Sequence, residues 1–147
     1  MSSKKKSGVP DRLQSLYEVA KRFREASYSP YSGHKVGAAI RTSTGEIFGG
    51  CNVENSSYGA TVCAERVAIQ KAVSEGHLEI REVFVVTDAS PPWPPCGMCR
   101  QVIAEFGPKA QLYTANLGGE IERFSFQALF PRAFTPLHLS RKKAKRS

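Results

Sequence analysis

The chain has 147 residues, 41% of them hydrophobic, which suits one domain with a modest core and leaves little room for two. Its formal net charge of +8 comes from its two ends, which carry Lys4–Lys6 and then Arg141, Lys142, Lys143, Lys145 and Arg146. A nucleic-acid enzyme would carry its basic residues around a cleft, so we expect at most weak nucleic-acid contact, made by these tails. The sequence has neither a long apolar run nor an apolar leader, so we expect neither a membrane-spanning helix nor secretion.

Hydrophobic periodicity and turn residues predict a basic, disordered tail (1–10), a folded domain (11–137) and a basic C-terminal tail (138–147). Within the domain they predict helix 11–26, strands 35–43 and 46–51, helix 61–75, strand 80–87, a proline-rich loop 90–95, helix 96–106, strands 110–114 and 121–126 and a short helix 127–130. This order is typical of an α/β fold in which helices cover one mixed sheet.

Two short stretches carry the chemistry, and each begins a predicted helix. The first contains Cys63, and the second contains Cys96 and Cys99 in a C-x-x-C spacing. A C-x-x-C at a helix start can be a redox pair, half of a zinc site or a coincidence, because the helix N-terminus stabilises a thiolate. A third thiol at a second helix start favours zinc. We interpret Cys51 as a small buried hydrophobic residue.

The three histidines show no ligand spacing, so the fourth zinc position is predicted to be open to water, as in a catalytic site. Glu65 lies two positions after Cys63, where its carboxylate can exchange protons with water at the metal. The alternative is a glutamate that is merely favourable at a helix N-terminus. Three thiolates outweigh the charge of Zn²⁺, and Arg66 or Arg100 could offset the excess; we favour Arg66.

Residues 52–55 follow the end of a predicted strand, where polar side chains are well placed to hold a ligand. An ordinary polar turn would explain them equally well, so spacing alone leaves this segment open.

The two stretches together form C-x-E followed by P-C-x-x-C, the pattern of the zinc deaminases. More narrowly, the chain resembles the small homotetrameric cytidine deaminases over residues 11–137. The resemblance rests on SPYSGHKVGAA (29–39), GGCNVENSSYGATVCAERVAI (49–69), PCGMCRQVIAEFG (95–107) and LFPRAFTP (129–136). It implies a three-layer α/β/α sandwich with a mixed five-stranded sheet, and a homotetramer with one zinc ion per subunit. It also implies hydrolytic deamination of cytidine and 2′-deoxycytidine in pyrimidine salvage.

The resemblance implies the following roles. Cys63, Cys96 and Cys99 bind zinc. Glu65 takes a proton from the metal-bound water, delivers it to N3 of the base and then passes a proton to the leaving amine. Asn52 and Glu54 hold the ribose 3′-hydroxyl.

Further positions are also implied by the resemblance. The backbones of Ala64 and Cys96 contact the amine and the base edge, and Ser56, Tyr58 and Phe134 reach the active site of a neighbouring subunit. His34 departs from the family pattern, which has phenylalanine in the pyrimidine pocket at this position. A histidine can still stack on a base, but it adds a polar edge and a titratable group.

Two other functions remain open at this point. One is deamination of another cytosine-containing substrate, either a nucleoside antibiotic or single-stranded nucleic acid. The other is a zinc-stabilised module that binds nucleic acid through its tails, although Glu65 and an open metal position speak against it. We expect a cytoplasmic protein, and the basic C-terminal tail would also suit nuclear import.

Overall fold

The computed structural model describes residues 8–140 of the chain, so the charged residues of both predicted tails lie outside the described range. One 3₁₀ turn, Asp11–Leu13, leads into the first helix, and another, Tyr58–Ala60, precedes the second. The elements are then α1 (Gln14–Glu25), β1 (Gly37–Thr42), β2 (Ile47–Cys51), α2 (Ala64–Ser74), β3 (Ile80–Thr87), α3 (Gly97–Phe106), β4 (Gln111–Asn116), β5 (Ile121–Ser125), α4 (Phe126–Leu129) and α5 (Pro136–Ser140).

The five strands form one mixed sheet in the order β2-β1-β3-β4-β5. β1 pairs antiparallel with both β2 and β3, β3 pairs parallel with β4, and β4 pairs antiparallel with β5. Because both are antiparallel to β1, β2 and β3 run in the same direction, and their carboxyl ends lie at the same edge of the sheet. Each of these strands is followed by a loop and then by a helix, and the N-termini of α2 and α3 both lie at that edge.

Helices cover both faces of the sheet. On one face, α1 packs its apolar stripe, including Leu16 and Tyr17, against Phe84 and Tyr113 of the sheet. On the other face, α2 and α3 pack residues such as Ile69 and Ile103 against the alternate residues of β1, β3 and β4. Strand side chains alternate between faces, so this division follows directly from the sequence of β3, where Val83 to Thr87 are all buried. The predicted three-layer sandwich with a mixed five-stranded sheet is confirmed.

Two glycines allow the helices to approach the sheet closely. A Cβ atom on Gly37 of β1 would overlap the backbone carbonyl oxygen of Ala20 in α1. A Cβ atom on Gly50 of β2 would lie 2.7 Å from the carbonyl oxygen of Ala64 in α2. Only a residue without a side chain fits at these contacts, and the second of them places α2, and with it the first cysteine stretch, against β2.

Several predicted boundaries differ from those observed. Helices α2 and α3 begin at Ala64 and Gly97, so Cys63 and Cys96 are N-cap residues with extended backbones. β1 begins at Gly37 rather than at residue 35, because the N–H of Val36 donates to the Asn52 side chain instead of joining the sheet.

The described structure extends slightly beyond both ends of the predicted 11–137 domain. Val9 is 4% exposed and belongs to the α1 core, so order begins before residue 11. At the other end, α5 runs to Ser140 and occupies the first three residues that we assigned to the C-terminal tail. Within residues 8–140, no helix combines the length and the apolar character needed to cross a bilayer.

Candidate active site

Three thiols meet where the N-termini of α2 and α3 converge. The Sγ atoms of Cys63 and Cys96 are 3.7 Å apart, those of Cys96 and Cys99 are 3.5 Å apart, and all three lie within 4.8 Å of one another. A tetrahedral zinc ion with Zn–S bonds of about 2.3 Å separates its sulfur ligands by roughly 3.8 Å. Both the chemistry and the spacing of these donors therefore fit zinc, with three vertices of a tetrahedron supplied by the protein. Among residues 8–140 this is the cluster of His, Cys, Asp and Glu side chains that could hold a metal.

The protein already favours negative charge at this cluster. The pKa of the Cys63 thiol is lowered to about 5, because the Cys99 thiol and the Arg66 guanidinium both donate hydrogen bonds to its sulfur. The pKa of Cys99 is raised, since its thiol donates to Cys63 and is also buried. Three sulfurs this close cannot all ionise without a cation, so the cluster is a site that a divalent metal would stabilise.

Glu65 lies beside the cluster in the first turn of α2 and is 4% exposed. Burial raises the pKa of its carboxyl to about 7, and the negative charge of Cys63 acts in the same direction. A carboxyl with a pKa near neutrality can both accept and give up a proton under ordinary conditions. This is the property that a general acid–base residue needs.

The two candidate arginines have different partners. Arg66 Nη2 lies 3.7 Å from Cys63 Sγ and also donates to the carbonyl oxygen of Thr61 at 3.2 Å. Arg100 instead donates from Nε to Pro95 O and from Nη1 to Leu129 O, both at 2.8 Å. Arg66 therefore contacts the thiols directly, whereas Arg100 ties α3 to the backbone on either side of it.

A cleft of about 300 Å³ opens in front of the thiols. Cys63, Cys96 and Glu65 line it, together with the polar side chains of Asn52 and Glu54. The cleft is thus large enough for a small ring compound, and both metal-binding and other polar side chains line it.

Asn52 lines the cleft but is 8% exposed and heavily engaged within the protein. Its Oδ1 accepts from Val36 N at 3.0 Å and from the Ser27 hydroxyl, and its Nδ2 donates to His34 O at 2.8 Å. The second N–H of the amide is left for a ligand. Asn52 therefore holds the segment that carries His34, a role that its spacing in the sequence could not reveal.

Glu54 is held as a carboxylate by the neighbouring loop. Oε1 accepts from Tyr31 N at 3.0 Å and Ser32 N at 3.1 Å, and Oε2 accepts from the Ser32 hydroxyl. The Ser32 hydroxyl makes the largest contribution to lowering the pKa of Glu54, and the adjacent backbone N–H groups lower it further. Glu54 is therefore an ionised acceptor with a fixed orientation at the cleft.

His34 and Trp93 form part of the cleft wall. Their ring centroids are 4.9 Å apart at an interplanar angle of 74°, an edge-to-face contact. Sequence reasoning placed Trp93 only in a proline-rich loop and missed this role. Its position three residues before Cys96 was the available signal, because a residue so close to a metal ligand cannot lie far from the site.

The remaining predicted residues occupy different places. Ala64 is fully buried and lines the cleft beside Cys63. Tyr58 is 75% exposed and contacts Tyr31 edge-on at 5.7 Å, beside a second hollow of about 250 Å³ that shares Glu54 with the main cleft. Ser56 is exposed on the same loop.

Phe134 is 58% exposed, stacks on His138 and does not line the main cleft of its own chain. Within one chain the structure therefore brings together the three cysteines, Glu65 and Ala64, with Arg66 behind them. Phe134 stays outside this group.

Comparison with known proteins identifies the family. Residues 10–115 match the family described as the cytidine and deoxycytidylate deaminase zinc-binding region. The cytidine deaminase of Halalkalibacterium halodurans is 46% identical over 123 residues, covering 83% of this chain and 93% of the relative. The blasticidin-S deaminase of Bacillus cereus is 36% identical over 113 residues, covering 69% and 78%.

A solved structure agrees with these sequence matches. The crystal structure of cytidine deaminase from Burkholderia pseudomallei aligns with a TM-score of 0.79 and 44% identity, covering 82% of this chain and 98% of that one. The zinc-binding region of the family includes both cysteine stretches, whose thiols are spaced to hold the metal. The chain belongs to the cytidine and deoxycytidylate deaminase family.

Proposed function

We propose that this protein is a zinc-dependent cytidine deaminase that hydrolyses cytidine and 2′-deoxycytidine to uridine and 2′-deoxyuridine with release of ammonia. The observation that carries this proposal is the buried carboxyl of Glu65 beside three thiols spaced for zinc in one cleft. A structural zinc site has no need of a proton-exchanging carboxyl at the metal. The zinc-stabilised interaction module considered from the sequence lacks this support.

The chain's own residues account for the proton transfers and the binding of the base. Zinc, when bound by Cys63, Cys96 and Cys99, supplies a Lewis acid that activates water for attack at C4 of cytosine. Glu65 holds the proton released by that water and delivers it to N3. It then shuttles a proton to the exocyclic amine, which leaves as ammonia. The atoms balance, since cytidine plus water gives uridine plus ammonia.

Arg66 and the two helix N-termini offset the excess negative charge of three thiolates. The Nη2 atom of Arg66 donates to Cys63 Sγ, which reduces the charge that this sulfur presents to the metal. The backbones of Ala64 and Cys96 lie at the starts of α2 and α3, where they can contact the amine and the adjacent base edge. Arg66 therefore acts as a positioning and charge-compensating residue.

The polar side chains that line the cleft suit a ribose. Glu54 offers an oriented carboxylate and Asn52 retains one N–H, so together they can accept from and donate to a 3′-hydroxyl. An internal nucleotide of a polymer has no free 3′-hydroxyl, so this pair favours free nucleosides over single-stranded nucleic acid. His34 faces the base in place of the usual phenylalanine.

We further propose a homotetramer in which Ser56, Tyr58 and Phe134 contact neighbouring subunits at their clefts. Large apolar side chains are exposed on each chain. They include Tyr58, Phe134 and, in α5, Leu137. Exposed aromatic and aliphatic groups of this size favour burial against another protein surface. The second hollow beside Glu54 provides room for a side chain from another subunit.

Product identification tests the proposed reaction. Purified protein would be incubated with cytidine, 2′-deoxycytidine, blasticidin S and a single-stranded oligonucleotide, and each product separated by chromatography. We expect uridine or 2′-deoxyuridine, with one ammonia per product. Conversion of blasticidin S or the oligonucleotide without conversion of either nucleoside would overturn the proposed substrate.

A further inference from the structure

We propose that Trp93, braced against His34, is a specificity-determining residue that excludes cytosine bases carrying a substituent at C5. This inference rests on the proposed function, because it concerns the base that the same cleft would hold. Trp93 and His34 both line the cleft, and their rings meet edge to face with centroids 4.9 Å apart. They are the aromatic side chains of the cleft lining among residues 8–140.

The loop that carries Trp93 has little freedom to move aside. Prolines occupy positions 91, 92, 94 and 95, on both sides of the tryptophan, and each fixes its own φ angle and restricts the residue before it. The loop then runs directly into Cys96, the N-cap of α3. The flanking prolines therefore hold the backbone that carries Trp93, and its side chain, 42% exposed, lines one side of the cleft.

Side chains of the β4–β5 turn brace the start of this loop. The Ser90 hydroxyl donates to Glu120 Oε2 at 2.6 Å, and Asn116 Nδ2 donates to the same oxygen at 2.9 Å and to Ala89 O at 3.3 Å. Asn116 is itself buried, and its backbone carbonyl oxygen accepts a hydrogen bond from the Tyr17 hydroxyl at 2.9 Å. The loop is thereby tied to both the turn and α1.

The position of Trp93 relative to the thiols and Glu65 places it on the C5 side of a bound cytosine ring. In cytosine, C4 is flanked by N3 on one side and C5 on the other. Glu65 exchanges protons at N3 and comes from the start of α2, whereas Trp93 and Pro94 come from the loop before α3. With C4 at the thiols and N3 towards Glu65, C5 faces the wall of which Trp93 is part. A methyl group at C5 would meet the Trp93 ring, whose backbone is held by the flanking prolines.

Kinetic discrimination between cytidine and 5-methylcytidine tests this assignment. Hydrophobic pockets discriminate a single carbon by about 10- to 200-fold in kcat/KM. We expect the wild type to prefer cytidine within that range, and Trp93→Ala to reduce the preference by about tenfold. The methyl group also changes the reactivity of the base, but that effect cancels when the preference is compared between variants. Leu78→Ala, at an exposed residue before β3 at the far edge of the sheet, is the matched control and should keep the wild-type preference.

A binding measurement gives a second readout that needs no turnover. Trp93 is the single tryptophan of the chain, so its fluorescence reports directly on the wall. We expect uridine to change this fluorescence, and 5-methyluridine to bind about tenfold more weakly. Calorimetry should show that Trp93→Ala binds the two nucleosides with similar affinity, and Trp93→Phe should give an intermediate ratio.

The outcomes separate this inference from the proposed function. Cytidine turnover by the wild type with equal Kd values for uridine and 5-methyluridine would overturn the role of Trp93 and leave the function intact. An unchanged preference in a folded Trp93→Ala that still turns over cytidine would overturn it as well. Absence of cytidine turnover in zinc-loaded wild type would count against the proposed function instead.

Discussion

The Sγ atoms of Cys63 and Cys96 lie 3.7 Å apart although 33 residues separate them in the chain. Both are N-cap residues, one of α2 and one of α3, and each helix follows a strand that ends at the same edge of the sheet. Free N–H groups at a helix N-terminus favour negative charge, so two such termini suit a cluster of thiolates. The fold thus brings together two segments, each of which supplies only part of the metal site.

Glu65→Gln should retain zinc and lose activity. Glutamine keeps the size and a hydrogen-bonding end but cannot exchange a proton, so kcat should fall by about 10²- to 10⁴-fold. Zinc content by atomic absorption should stay at the wild-type level, because Glu65 is not a ligand. Glu105→Gln, at an exposed position of α3, is the control and should be unaffected. Activity close to wild type in Glu65→Gln would refute the proton-transfer role.

Arg66→Gln should weaken metal retention and catalysis together. The substitution removes the donor to Cys63 Sγ, and loss of such a partner of a metal ligand commonly costs about 10- to 100-fold in affinity or activity. Zinc affinity measured by competition with a chelator, alongside kcat/KM, checks this. Arg22→Gln, on the exposed side of α1, controls for the lost charge. Unchanged zinc affinity and activity in Arg66→Gln would show that the contact between Arg66 and Cys63 contributes to neither metal binding nor catalysis.

Asn52→Ala should destabilise the fold as well as impair binding. It removes the acceptor of Val36 N and the donor to His34 O, two part-buried hydrogen bonds that each contribute about 0.5–1.5 kcal/mol. Urea unfolding would measure the loss of stability. Asn55→Ala, at an exposed residue of the following loop, should cost much less. A fully stable Asn52→Ala with a raised KM alone would indicate that Asn52 serves only the ligand.

Tyr58→Glu should shift the assembly towards smaller species. A charge at this 75% exposed ring would be buried without a partner if the ring sits in a subunit interface. Sedimentation velocity should show a tetramer for the wild type and a lower mass for the variant. Glu122→Gln, a charge-changing substitution on β5 outside the proposed contacts, should remain tetrameric. A monomeric wild type with full activity would contradict the proposed assembly.

The sequence predicted the strands and the metal site well, for physical reasons that can be named. Continuous apolar residues in β3 and the alternation of helix and strand are local signals, and they led to the observed sheet. The three cysteines could be assigned to one site because few arrangements of thiols at two helix starts serve any other purpose. The resemblance to a known family added the ribose and subunit contacts, which remain predictions.

What the sequence did not reveal depends on side-chain contacts between distant segments. The bonds from Asn52 to the backbone of His34 and Val36 join two loops, and no pattern within either loop predicts them. The contact between Trp93 and His34 is of the same kind. The short helix α5 was missed because five residues are too few for a periodic pattern to stand out.

The most direct test of the account is the ultraviolet absorbance of cytidine mixed with purified protein, before and after removal of zinc. We expect a decline towards the uridine spectrum that stops when the metal is removed and returns when zinc is added. Cys96→Ala should show neither zinc nor the decline, whereas Cys51→Ala, which leaves the three clustered thiols intact, should show both. A flat trace from folded, zinc-loaded wild type would contradict the proposed reaction, and an equal decline without zinc would contradict the role of the thiol cluster.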